Sequence, residues 1–510
     1  MRRTLLLLLL AVTGSAGLAG CVYQGTRVRA VDLAEPGVTV RSPAKAHLRD
    51  GSVVVFPDGF RLDRDTLFGP ATSYDASLLD SARVSHVALG EVVGVESFRG
   101  TVNAPATVLG SLLGTAATGL GVAALAVAIF GSCPTFYADS VGTPVLEAEG
   151  FSYSIASLFE ARDVDRLRFG PEAGGVVRLE VRNEAAETHY INQLALLEVA
   201  HAADESVLPD PQGGPLAVRG LRAPTRAIAR SGRDVRDVLA DADGAVFSSD
   251  SATLWRADAA DPDDRIDLVF PTGGATDSLG LVLRVRNSLL TTILLYDVML
   301  AGQGARALDW LAHDLERIGP ALELGRWYAG TMGIRVSVAD GDAWRRVAWI
   351  RDVGPIAWKD IGVMVPAAGD TVRVRLEFVA DAWRIDRVAL GGDARRPASR
   401  DVGVARVTDA MGADQADALA AVRDPDEHYL RTMPGHWFSV TFAPDPVAGP
   451  RTFLLVSQGY YVEWMRPDWL RQPDRGFTPS PAPVAEALAA WRAKRADYEH
   501  RFFASRFPVR

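Results

Sequence analysis

Cysteine and lysine are the scarce residues of this 510-residue chain. Two cysteines, Cys21 and Cys133, are too few for a disulfide framework, so stability must come from hydrophobic cores. Three lysines, Lys45, Lys359 and Lys494, leave few places for chemistry that needs a catalytic amine. Positive charge is not in excess either: the net charge is −9, and the arginines are interleaved with Asp and Glu. Such a balance excludes a nucleic-acid footprint, which needs a basic face. The chain has no long polar tract and no Gly-x-y period, which excludes disordered and collagen-like classes. With 23% charged and 48% hydrophobic residues the composition is globular, and the length calls for about three or four domains.

Catalytic signatures are also missing. The eight histidines form no H-E-x-x-H and no i,i+4 pair, and there is neither a G-x-S-x-G elbow nor a Walker loop. Ser42-Pro43-Ala44-Lys45 has S-x-x-K spacing, but it follows a strand-like run and lacks S-D-N and K-T-G partners. With 63 acidic residues spread along the chain, no carboxylate pair can be nominated for glycoside hydrolysis. No catalytic residue, metal site or cofactor is therefore assigned.

The N-terminus carries the most specific signal. Met1-Arg2-Arg3 is a positive n-region, Leu5 to Val12 an apolar run too short to span a bilayer, and Leu18-Ala19-Gly20-Cys21 a small-residue cleavage site. This tetrapeptide resembles the lipobox of bacterial lipoproteins. The resemblance implies cleavage after residue 20 and acylation of Cys21, which anchors the protein to membrane lipid through two or more chains. Val22 stands where an Asp would imply inner-membrane retention, so the resemblance implies the outer membrane, facing the periplasm. It leaves Cys133 as the one thiol of the mature chain.

A charge-free stretch follows later, between Arg99 and Asp139, and residues 106–131 are long enough to span hydrocarbon as a helix. Three readings stand open: a membrane-spanning helix, a helix buried within a soluble domain, or a segment lying on lipid.

The mature chain otherwise reads as mainly β, beginning with a small N-terminal β-barrel or sheet. Residues 21–41 form a tether and 42–98 the small β domain, with Asp50-Gly51 and Asp58-Gly59 as hairpin turns. After the apolar helical segment at 104–131, tandem β-sandwich-like domains are expected. Their boundaries are 132–303 for a first sandwich, 304–320 for a helix closed by Gly319-Pro320, 321–395 for a jelly-roll-like unit and 396–478 for a further β region. A C-terminal amphipathic helix occupies 479–510, with Val484, Leu488, Trp491, Tyr498 and Phe502 on one face. One frame recurs: Val177-Arg-Leu-Glu-Val-Arg-Asn183 and Leu281-Val-Leu-Arg-Val-Arg-Asn287, each followed by an apolar stretch, Ile191 to Val199 and Ile293 to Leu300. Two related strand-turn-strand units are implied. Two further hairpins of the same rhythm are Val372–Val379 with Trp383–Leu390 and Phe438–Phe442 with Phe453–Trp464.

All 11 tryptophans fall between Trp255 and Trp491. Four of them, Trp344, Trp349, Trp358 and Trp383, together with Asp352-Val353-Gly354-Pro355, give residues 330–392 a rhythm that resembles galactose-binding jelly-roll domains. That resemblance implies a sugar-stacking face, with Trp344 and Trp358 as its candidate ligand-binding residues. The expectation is a lipid-anchored envelope protein acting as a binding or structural module. Two alternatives are a carbohydrate-binding or carbohydrate-active envelope protein and a membrane-spanning assembly component. Expected partners are membrane lipid through Cys21, membrane contact through 106–131, and a polysaccharide or envelope protein; nucleic acid is excluded.

Overall fold

The computed structural model describes residues 27–99 and 134–504 apart from short stretches, of which 75–80 and 464–468 are the longest. Cys21, Cys133 and the apolar 104–131 segment lie outside the described residues. Within them the protein is mainly β, built from antiparallel sheets with few helices. Among the described residues no helix is long and apolar enough to cross a membrane.

The N-terminal unit is an eight-stranded sheet. It closes over a core of Val54, Phe56, Phe60, Leu62, Leu67 and Val95. The unit starts earlier than expected, because Arg27–Ala30 pairs with Val92–Arg99 and Thr39–Val40 pairs with Phe60–Asp63. Arginines at alternate places hide the first of these strands from a hydrophobic-pattern reading. Asp58-Gly59 does turn the chain, but the strands on either side of it are not partners; Thr66–Tyr74 lies between them in the sheet. Gly59 is required there, since its φ is +83° and a Cβ would fall 2.0 Å from the Val40 carbonyl oxygen.

The rest of the chain is nested rather than tandem. An outer sandwich is made by residues 135–200 together with 400–463, forming one nine-stranded sheet that folds over on itself. The fold runs through the strand Arg400–Asp409, whose first half pairs with Glu187–Ala200 and whose second half pairs with Trp437–Phe442. Between its layers lie Phe136, Leu179, Leu196, Val440 and Leu455. The central pairing joins Glu187–Ala200 to Arg451–Glu463 along its full length.

Inserted between these halves is an inner sandwich of two five-stranded sheets. One contains Glu205–Pro209, Pro215–Arg222, Trp383–Arg395, Leu279–Asn287 and Lys359–Val365; the other contains Arg226–Ala229, Asp263–Pro271, Thr371–Val379, Ile334–Asp340 and Ala343–Ile350. Strict alternation of buried and half-exposed residues along Asp263–Pro271 shows how one face is given to the core. Strands assigned by rhythm to separate 132–303 and 321–395 units thus share sheets, and the 330–392 stretch is part of a sandwich that spans 205–395. Neither of the two further hairpins forms. Val379 and Trp383 belong to opposite sheets, linked by Asp381 at φ +60°, while two strands separate Trp437–Phe442 from Arg451–Glu463. Each strand pairs instead with the partner that completes its buried face.

Helices cap one end of the inner sandwich. Residues 290–306 are helical apart from a kink at Gly304, with π-type turns over Leu294–Leu300, where a strand was expected. A run apolar on every side has no period to tell strand from helix, and Ser288 settles it by accepting the Leu290 N–H at the helix entry. Gly319-Pro320 does not end a helix but stands in the first turn of Ile318–Thr331, where proline lacks only an N–H that would be unpaired in any case. The C-terminal helix Pro481–Ala504 docks with Val484, Leu488, Trp491, Tyr498 and Phe502 all buried in the inner core.

Candidate functional site

The two sandwiches meet where the outer strand Ala161–Arg166 runs against the inner strands Glu205–Pro209 and Lys359–Val365. Buried at this junction, Lys359 Nζ bridges Asp163 at 2.5 Å and Asp165 at 3.1 Å. Asp163 also accepts the Phe151 N–H at 3.2 Å. Phe151 is fully buried at φ +38°, a left-handed conformation that bulky side chains rarely enter, so Asp163 holds a strained turn in place. Burial pushes the Asp165 carboxyl up to about 7, against the opposing pull of Lys359 and with the Asp163 and Glu149 charges adding to the rise.

That shift has a consequence for stability. From the ordinary aspartate range near pH 4 up to about 7 the folded chain holds a proton on Asp165 that the unfolded chain has released. Stability contributed by this group is complete below that window and is lost as pH rises through it, with a slope of at most about 1.4 kcal/mol per pH unit. Asp165→Asn is expected to flatten the decline between pH 5 and pH 8 in urea-unfolding midpoints; an unchanged slope refutes the assignment.

Beside this ion cluster lies a cavity of about 330 Å³, within the size range of small-molecule sites. Three parts of the fold supply its walls: the outer sandwich through residues 149–155 and Tyr461, the inner one through Asn287 and residues 349–355, and the helical cap through residues 291–299 and 324–329. Its surface is mostly apolar, and six aromatic side chains line it: Tyr153, Phe159, Tyr296, Tyr328, Trp349 and Tyr461.

Two carboxylates, Glu149 and Asp352, reach the same cavity from different sandwiches. Glu149 Oε2 accepts the backbone N–H groups of Ile356 at 2.8 Å and Ala357 at 3.1 Å, clamping the inner turn to the outer sandwich. That approach requires Gly354, because a Cβ there would lie 2.3 Å from the Glu149 carboxyl carbon. Asp352 accepts from Asn287 Nδ2 at 2.8 Å and from the Tyr328 hydroxyl. Desolvation raises the Asp352 carboxyl, only partly offset by these two donors, and burial beside Asp352 lifts the Tyr328 phenol well above its usual range.

Asn287 is the organiser. Its Oδ1 accepts the Val353 N–H at 2.7 Å and the Gly354 N–H at 3.0 Å, so one buried amide fixes the whole turn 352–354. Asn183, which ends the other copy of the repeated frame, does the same kind of work, donating to the carbonyls of Glu187 and Thr432 at 3.0 Å each. The repeated Asn therefore marks buried loop anchors, and the second of them is part of the site.

The candidate stacking pair falls elsewhere. Trp344 lies on the strand Ala343–Ile350, with the Arg375 guanidinium 4.1 Å from its ring centre and Arg373 at 5.3 Å. Trp358 lies before the strand Lys359–Val365, with Arg286 at 5.1 Å and Arg284 at 5.7 Å. Trp344 is in one inner sheet and Trp358 precedes a strand of the other, and neither lines the cavity. Trp349 does. Glu149, Asn287, Tyr328 and Asp352 carried no motif; the only sequence signals near them were the closing Asn of the repeated frame and Asp352-Val353-Gly354-Pro355.

No protein family matches the chain, and no curated protein matches it. Among solved structures, similarity to a cycloalternan-forming enzyme from Listeria monocytogenes in complex with a pentasaccharide substrate covers 71% of this chain and 30% of that chain, at 9% identity and a TM-score of 0.18. An alpha-xylosidase from Xanthomonas citri is covered over 38% of its length by 84% of this chain, at 10% identity and a TM-score of 0.15. The chain thus spans well under half the length of these two enzymes, and likeness at such TM-scores carries no argument about fold or function.

Proposed function

We propose that this protein is a lipid-anchored, non-catalytic binding module of the bacterial cell envelope. It is tethered through an acylated Cys21 and takes a small, mainly apolar ligand into the cavity at the junction of its two sandwiches. The 330 Å³ aromatic-lined cavity carries the binding part of this reading. Support for a holding role comes from its two carboxylates, whose hydrogen bonds run to backbone N–H groups, Asn287 and Tyr328, an arrangement that fixes walls. The anchoring part rests on Leu18-Ala19-Gly20-Cys21 behind its n- and h-regions.

Each part has its own readout. Cys21→Ser should move the protein from the membrane pellet to the soluble fraction of a Gram-negative host; retention in the pellet refutes acylation as the anchor. The purified Cys21→Ser protein should bind a neutral solvatochromic dye. Gly325→Leu should weaken that binding at least about tenfold, because Gly325 lies on the cavity wall with only Phe159 within 4 Å of a new Cβ. The same change leaves folding intact, since replacing a helical glycine favours the helix by about 0.8–1 kcal/mol. Equal dye binding by both proteins refutes the cavity as the site.

A further inference from the structure

If the cavity is a binding site, as proposed, its side chains narrow the ligand beyond small and mainly apolar. Aromatic rings carry negative electrostatic potential on their faces and attract cations most strongly where water is excluded. Six of them surround this cavity, contributed by the outer sandwich, the inner sandwich and the helical cap. Among them stand two carboxylates, Glu149 and Asp352, so acidic groups outnumber the one lining cation, Arg351.

Other neighbouring cations are engaged elsewhere, Arg286 with the Pro355 carbonyl and the Trp358 ring. Lys359 is committed to Asp163 and Asp165 behind the wall. Arg351, exposed at the edge of the cavity, lies 5.3 Å from the centre of the Tyr153 ring. Glu149 accepts from two backbone N–H groups, and Asp352 from an amide N–H and a phenol O–H, so both carboxylates present acceptor character. A neutral sugar fits poorly, because its ring of hydroxyls needs many acceptors and donors, whereas most of the surface here is apolar. An anion would meet two carboxylates.

We infer that the cavity between the two sandwiches binds a small organic cation, an alkylated ammonium carrying an apolar substituent, with Glu149 and Asp352 opposite the charge and the aromatic rings around it. Methylated nitrogen suits these walls better than a primary amine, whose three N–H groups would each demand an acceptor in place of lost water.

Phenyltrimethylammonium and tert-butylbenzene test this directly, because they share one shape and differ only in nitrogen with its charge against carbon. Titrated calorimetrically into the purified Cys21→Ser protein, the cation should bind at least about tenfold more tightly than the hydrocarbon. Asp352→Asn, whose Oδ1 keeps the acceptor for Asn287 while its Nδ2 can donate to the Tyr328 oxygen, should reduce that ratio severalfold while leaving tert-butylbenzene affinity within about twofold. Glu149→Gln, which keeps the acceptor for Ile356 and Ala357, gives a second, independent reading of the same ratio. Equal or tighter binding of tert-butylbenzene overturns the cationic ligand and leaves the cavity as an apolar site. Absence of binding by both compounds, with the dye also failing to respond to Gly325→Leu, overturns the binding reading itself.

Discussion

Replacing Lys359 with methionine is expected to destabilise the protein by about 3–5 kcal/mol, measured by urea unfolding at pH 7. The side chain is of similar length, so little packing is lost; what goes is the cation between Asp163 and Asp165, both of them buried. Two carboxylates then face each other across a low-dielectric junction without a counter-charge, the situation in which breaking a buried pair costs most. Some of the loss returns as Asp165, already held up to about 7, takes a proton. The double change Lys359→Met with Asp165→Asn should therefore recover part of the stability, and the recovery should be larger at pH 8 than at pH 5. A loss below about 1 kcal/mol in the single variant would mean that the junction is hydrated and the bridge is equivalent to a surface pair.

Trp491→Ala should cost a comparable amount, about 3–5 kcal/mol, for a different reason. The indole is fully buried in the inner core and is the largest side chain with which the helix Pro481–Ala504 docks. Its Nε1 donates to Asp381 Oδ2 at 2.7 Å, and Asp381 occupies the link between the two inner sheets at φ +60°. Truncation therefore leaves a void and removes a donor from a fully buried carboxylate whose other partners are Arg384 and Arg495. Trp491→Phe keeps most of the volume and should cost only about 1–3 kcal/mol, mainly the unmade hydrogen bond. Limited proteolysis supplies the second readout: Trp491→Ala should release the C-terminal helix before the sheets are cut. Simultaneous loss of both would show that the helix is not a separable clamp.

What could be read from the chain beforehand divides by distance along it. The C-terminal helix was visible because its stripe of five apolar residues repeats within one segment, and all five are buried. The mainly β character was visible for the same local reason, through alternation in segments such as Val177–Arg182. Sheet partners were not visible: Glu187–Ala200 and Arg451–Glu463 are each good strands, yet nothing local tells either that the other lies some 250 residues away. The cavity was hidden for a related reason. Glu149, Asn287, Tyr328 and Asp352 come from four separate segments, and two acidic residues among 63 stand out only once folding brings them to one space. Trp344 and Trp358 drew attention as aromatics in a β rhythm, but alternation cannot say which ring faces a cavity and which lies beside arginines.

The insertion of one sandwich inside another imposes an order on assembly. As the polypeptide emerges from its amino end, the strand Glu187–Ala200 appears long before Arg451–Glu463 can bond to it, with the entire inner sandwich made in between. During that interval the early half of the outer sandwich offers open edges to any passing chain, which is how β proteins come to aggregate. The inner sandwich also waits, because its core is completed only by the final helix. Maturation of this protein is thus gated by the strand Arg451–Glu463 and the helix Pro481–Ala504, and a chain stalled short of them is a natural client for holding chaperones.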